Sequence, residues 1–167
     1  MKKFVLPVLF IALMACTKTN APAPTTTSSS STPTVVVDQQ IGNSYTFAGT
    51  TYTTTIGGEE TLTPSGGSFI YALVVEDASE DGIQFWFSAK PSVGTYPVTA
   101  FSTTVPYGTA AVYVNANGVS FGSVGQGSIT ISIVSGYYVV SINNVPLQNI
   151  TTSSAPMQTL SAAVTVP

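Results

Sequence analysis

The chain has 167 residues, 44% hydrophobic and only 7% charged, with four Lys+Arg, seven Asp+Glu and no His. Without His or Arg and with one Cys, it cannot build a Ser-His-Asp or Cys-His catalytic group, a Cys/His zinc site or a bidentate Arg clamp on phosphate. A net charge of -3 argues against nucleic acid as a partner, because phosphate contacts need clustered cations.

In chain order, Lys2 and Lys3 precede the apolar run Phe4–Ala15. That run is shorter than the ~20 residues needed to span a bilayer and fits the core of a signal peptide. It ends in Leu13-Met14-Ala15-Cys16, which resembles the lipobox of bacterial lipoproteins. The resemblance makes residues 1–15 a lipoprotein signal peptide. It implies a diacylglyceryl group on the Cys16 thiol, cleavage just before Cys16 and acylation of the new amine. Cys16 is the only Cys, so no disulfide competes for it. Several acyl chains would hold the chain firmly in a membrane. In that family Asp after the Cys retains the protein at the inner membrane. Thr17 stands there instead, which implies the outer membrane, with the periplasmic or outward-facing leaflet left open. Thr17-Lys18-Thr19-Asn20 lacks the acidic residues of known Bacteroidota surface-export tags.

Residues 17–34 read TKTNAPAPTTTSSSSTPT, in which 14 of 18 residues are Thr, Ser or Pro. Such a segment cannot bury enough apolar surface to offset its ordering entropy. The lipidated Cys and tether therefore cover residues 16–34, and residues 35–167 form a single all-β domain. Thr, Val, Ile, Tyr and Phe dominate it, and Gly or Pro recurs at the spacing of short strands. The expected architecture is an antiparallel β-sandwich, with a small β-barrel as the alternative.

Strands are expected at Ser44–Ala48, Tyr52–Ile56, Ser68–Val75, Ile83–Ser88, Thr95–Thr99, Ala111–Ala116, Val119–Ser123, Val145–Ile150 and Leu160–Val166. Glu76–Gly82 reads as a hairpin loop, and Asn117-Gly118 as a tight hairpin turn. The clearest local pattern runs from Ser128 to Asn143. A two-residue turn at Ser135-Gly136 opposes Ile133 to Tyr138, Ile131 to Val140 and Ile129 to Ile142 on one apolar side. The other side then pairs Val134 with Tyr137, Ser132 with Val139, Thr130 with Ser141 and Ser128 with Asn143. A slip of one residue would set apolar against polar along the ladder, so the pattern fixes the register. Pro97 and Pro146 suit strand starts or edges better than central strands.

From Pro91 to Pro167 there is no Asp, Glu, Lys or Arg, a charge-free stretch of 77 residues. Its surface has little charge repulsion against self-association or against a neutral partner. Four of the seven acids fall in the Glu76–Gly82 loop. Glu76, Asp77, Glu80 and Asp81 are thus a candidate weak calcium site, against the plainer reading of a solvated turn. Glu59-Glu60 and the 76–81 group could supply the carboxylate pair of a glycosidase. Both sit beside Gly in apparent turns, where burial would not tune a pKa, so no catalytic residue and no enzymatic activity are expected. Trp86 alternates out of phase with Ile83, Phe85 and Phe87, and Tyr137 lies on the polar side of its hairpin. These two aromatics are candidate ligand contacts, able to stack on a sugar or anchor a protein; the plainer reading has a loop covering Trp86.

The lipobox and tether, together with Val93-Gly-Thr-Tyr-Pro-Val98, Gly127-Ser-Ile-Thr-Ile131 and Tyr138-Val-Val-Ser-Ile-Asn-Asn-Val145, resemble small uncharacterised β-sandwich lipoproteins of Bacteroidota. That resemblance implies fold and address and brings no catalytic residues. The expected function is a non-enzymatic cell-envelope interaction domain. Its expected partners are the membrane through the lipid, an envelope protein or another copy of itself. The rival is a carbohydrate-binding surface lipoprotein using exposed aromatics, and no cofactor is expected beyond the covalent lipid.

Overall fold

The computed structural model describes residues 43–167. The signal segment 1–15, Cys16, the tether and residues 35–42 lie outside the described residues. Eleven strands are present: β1 Asn43–Phe47, β2 Thr50–Thr54, β3 Ile56–Leu62, β4 Ile70–Glu76, β5 Gly82–Phe87, β6 Gly94–Pro97, β7 Ala111–Ala116, β8 Val119–Ser123, β9 Ser128–Val134, β10 Tyr137–Asn149 and β11 Gln158–Val166. No helix occurs among the described residues.

The strands form one antiparallel sheet in the order β2-β1-β11-β10-β8-β7-β5-β4-β3, with β9 also on β10 and β6 on β9. It curls into a nearly closed, barrel-like shape around a single interior. The two ends of the path, β2 and β3, follow each other in the chain with only Thr55 between them, so the chain itself links both margins of the sheet. The main core holds Tyr45, Phe47, Leu73, Phe85, Phe87 and Leu147 among others. A smaller cluster of Ile70, Val105 and Ala111, with Leu62, Trp86 and Phe101 packed on it, covers part of the outer face. Strand β4 is buried on both faces because it lies between these clusters, which is why its sequence is a continuous apolar run.

The β9–β10 register matches the expected one at six pairs, from Tyr137 with Val134 to Ile142 with Ile129. Ser135 and Gly136 have φ of 55° and 90°, the paired positive angles of a type I′ turn, and Asn117-Gly118 repeats this at 54° and 72°. The expected Ser128–Asn143 pair is absent from the ladder. A bulge interrupts β10 between Ile142 and Val145, with Asn144 at φ 51°. Asn144 N–H bonds Ser161 Oγ at 3.0 Å, which holds the bulge against β11. Before the bulge β10 pairs with β9, and after it with β8. Val145–Ile150 is therefore the second half of one 13-residue strand and not a strand of its own.

Both prolines sit where they remove no ladder bond. Pro97 ends β6, which pairs with β9 alone among the described strands. Pro146 lies within β10 opposite Thr159. Thr159 gives its carbonyl to Ala48 N–H on the β1 side. The 146/159 pair is thus a non-hydrogen-bonded one, and Pro146 falls between the last β9 pair at Ile142 and the first β8 pair at Leu147.

One expectation is corrected outright. Glu59 and Glu60 lie in the middle of β3, opposite Leu73 and Ala72 of β4, and not in a turn. Adjacent strand residues point to opposite faces, so these two carboxylates cannot share a cleft.

Candidate functional site

A cleft of about 350 Å³ lies between the segment that joins β5 to β6 and the turn at residues 106–109. Strand β5 ends at Phe87, and the chain loops through Lys90, Pro91 and Ser92 before β6. Tyr96 ties that loop down. Its hydroxyl accepts Ser92 N–H at 2.8 Å and donates to Ser92 O at 2.9 Å, and its ring meets Phe87 edge-on at 5.2 Å. Tyr138 donates its hydroxyl to Pro91 O at 3.2 Å. The loop is thereby fixed from two strands.

The opposite wall is Pro106-Tyr107-Gly108-Thr109. Gly108 has φ 75°, and Thr109 N–H returns to Pro106 O at 3.2 Å, as in a type II turn. Thr109 Oγ1 bonds the same carbonyl at 2.8 Å. The wall is held alongside β6 by Ala110 N–H to Pro97 O at 3.0 Å and Thr99 N–H to Ala110 O at 2.8 Å. At its tip, Tyr107 is 91% exposed.

Lys90 is the only cationic side chain among the described residues. Its ammonium donates to both oxygens of Glu59, at 2.8 and 3.2 Å, and stands 5.6 Å from the ring centres of Tyr71 and Tyr138. The hydrogen bond to Glu59 raises the Lys90 pKa above its ordinary value, and burial raises that of Tyr138. The cleft therefore presents hydroxyls, aromatic rings and one internally neutralised ion pair.

The residues singled out from sequence lie elsewhere. Trp86 sits on the outer face of β5, as the alternation requires, and is half-buried. Phe101 covers it, with ring centres 4.7 Å apart, and Tyr113 lies parallel at 6.3 Å. The indole N–H bonds Gln84 Oε1 at 2.9 Å. Gly122 permits this cover: a Cβ there would come within 2.6 Å of Phe101 Cβ. Tyr137 opens β10 opposite Val134 of β9 and is half-buried, whereas Trp86 lies on β5 between β4 and β7.

In the acidic loop, Asp77 Oδ1 accepts the N–H groups of Ser79 and Asp81 at 2.7 and 3.1 Å, folding the loop as an Asx turn. Asp81 Oδ2 accepts Asn117 N–H at 2.9 Å, which ties this loop to the β7–β8 turn. Glu76 and Glu80 border a second, smaller cleft with Gln84, Tyr113 and Asn115. Burial raises the Glu76 pKa, with Glu60, Glu80 and Asp77 adding to it, and burial alone raises that of Glu60. Among the described residues no three acidic side chains converge as metal ligands.

Sequence reasoning overlooked Lys90, Tyr96 and Tyr107. A signal for Tyr107 was available, since Gly108 suits the i+2 position of a type II turn and so leaves Tyr107 at its tip. No family model, no curated protein and no solved structure matches this chain.

Proposed function

We propose that this chain is a non-enzymatic interaction domain, held on the cell envelope by lipid on Cys16, that docks an envelope protein or a further copy of itself through its charge-free half. One observation carries the reading. Of the eight large apolar side chains exposed among the described residues, seven lie at or beyond residue 91: Val93, Tyr107, Val119, Ile133, Val134, Ile150 and Met157. No formal charge lies anywhere in that stretch. Apolar side chains on a surface without charge repulsion favour association. Ile133 and Val134 concentrate this at the tip of the β9–β10 hairpin, where both are more than half exposed.

The test is cross-linking of the lipidated protein in intact cells, followed by purification in high salt. The reading expects a reproducible protein partner, or a covalent dimer, that survives the salt and is lost in Ile133→Lys/Val134→Lys. Complexes that dissolve at modest salt, or that the double substitution leaves unchanged, would contradict it. The anchor is tested separately. Cys16→Ser should abolish incorporation of a labelled fatty acid and release the chain from the membrane fraction.

A further inference from the structure

We infer that the cleft between β6 and the Pro106–Thr109 turn is a binding site for a neutral sugar residue, with Tyr107 as its stacking platform. The inference stands apart from the docking reading, because it concerns a small ligand in a built cleft.

Size is the first argument. A cleft of about 350 Å³ falls within the small-ligand range of about 300–1,000 Å³ and accommodates one or two sugar rings, not a helix or strand of a partner. Charge is the second. Lys90 lines the cleft, but both oxygens of Glu59 hold its ammonium. Neither sign is left over to select an ionic ligand. Hydrogen-bonding capacity is the third. Ser88, Ser92, Thr95 and Thr109 line the cleft, and the last three, though bonded within the chain, keep acceptor capacity on their hydroxyls. The backbone of β6 adds more. Pro97 O bonds Ala110, away from β9, so Pro97–Ser128 is a non-hydrogen-bonded pair. Alternation makes Thr95–Thr130 another, and their hydroxyls approach to 3.5 Å as such pairs allow. The N–H and C=O of Thr95 therefore point out of the β9 ladder, to the side along which residues 107–109 run. A ligand rich in hydroxyls can meet both a donor and an acceptor there.

The fourth argument is the ring itself. Tyr107 is almost fully exposed, yet it stands on a turn closed by two bonds to the Pro106 carbonyl. The turn fixes the backbone that presents the ring at the cleft mouth, so the backbone loses little further freedom when a sugar ring stacks on Tyr107. Trp86 and Tyr113 do not offer this, because their faces already meet each other and Phe101.

The experiment uses the full lipidated chain in detergent on an array of neutral and anionic glycans, followed by calorimetric titration of the best neutral glycan. Neutral glycans are expected to bind. Tyr107→Ala should weaken the titrated glycan ~10-fold or more, and Tyr107→Phe should stay within about threefold. Neither change should move the melting temperature, since the side chain is in solvent. The inference is overturned if no neutral glycan binds, if only anionic glycans bind, or if Tyr107→Ala binds as the parent does. These outcomes are separable from failure of the docking reading, which is tested at Ile133 and Val134.

Discussion

Lys90 Nζ lies 2.8 Å from Glu59 Oε2 and 5.6 Å from the ring centres of Tyr71 and Tyr138. Glu59 shares its β3–β4 face with Leu73, a core residue, so its carboxylate emerges from the edge of the core. The side chains are 60% and 30% exposed for Lys90 and Glu59, so solvent screens much of the attraction. A double-mutant cycle with Lys90→Met and Glu59→Gln is expected to give a coupling of about 0.5 kcal/mol. The raised Lys90 pKa means this stabilisation is present below the unfolded Lys value of 10.5 and fades as pH rises through the higher folded value. Urea titrations at pH 7 and above pH 11 would check both, and a coupling of zero at neutral pH would show that the pair adds nothing to stability.

Glu60 and Glu76 make the opposite contribution. In the β3–β4 ladder they fall on one face, and burial raises the pKa of each above 4.5. A carboxyl with a raised folded pKa binds its proton more tightly in the folded state. Stability therefore increases as pH falls from neutral through the folded pKa, and levels off near the unfolded value of about 4.5. Melting temperature should rise between pH 7 and pH 5, before general acid effects set in. Glu60→Gln and Glu76→Gln should each raise stability at pH 7 and flatten that slope. A melting temperature that falls steadily from pH 7 to pH 5 would show that these carboxylates are not desolvated.

Trp86 is the only Trp in the chain, so intrinsic fluorescence reports its cover directly. Phe101 lies on it, and Gly122 leaves the space for Phe101. Phe101→Ala should shift Trp86 emission to longer wavelength and cost roughly 1–2 kcal/mol, less than a fully buried Phe because Phe101 is half-exposed. Gly122→Ala should give the same red shift by pushing Phe101 aside. Emission unchanged in both variants would mean that the 98–110 segment does not cover the indole.

These relationships also mark how far the sequence could be read. The β9–β10 hairpin was legible because strict alternation and a two-residue turn constrain each other, and six pairs fall where the pattern puts them. The outward direction of Trp86 was legible for the same reason. Strand β3 was not, because Gly57-Gly58-Glu59-Glu60 has the composition of a turn. It is a strand because β4 offers it a partner. The first glycine also makes room for the chain end, since a Cβ at Gly57 would sit 3.1 Å from Pro167 Cδ. The bulge at Asn143-Asn144 was hidden because two polar residues read equally well as a strand end. The cleft depends on where residues 98–110 run, and no periodicity records the path of a loop.

The path of that loop hangs on Ser123. Its buried hydroxyl accepts Val112 N–H at 3.0 Å and donates to Thr99 O at 2.7 Å, bridging β7 to the start of the segment that carries Phe101 and Tyr107. Ser123→Ala removes both bonds and leaves the Val112 amide, which is fully buried, without its partner. The expected cost is ~2 kcal/mol, the range for a buried donor left unsatisfied. Because the bridge fixes one end of the segment, the loss should be felt along it. Amide exchange at Phe101 and Ala110 should accelerate more than at Ile131 in the distant hairpin. Uniform acceleration across all three would mean that Ser123 contributes only to global stability, and no change in stability would mean that the hydroxyl does not hold the segment.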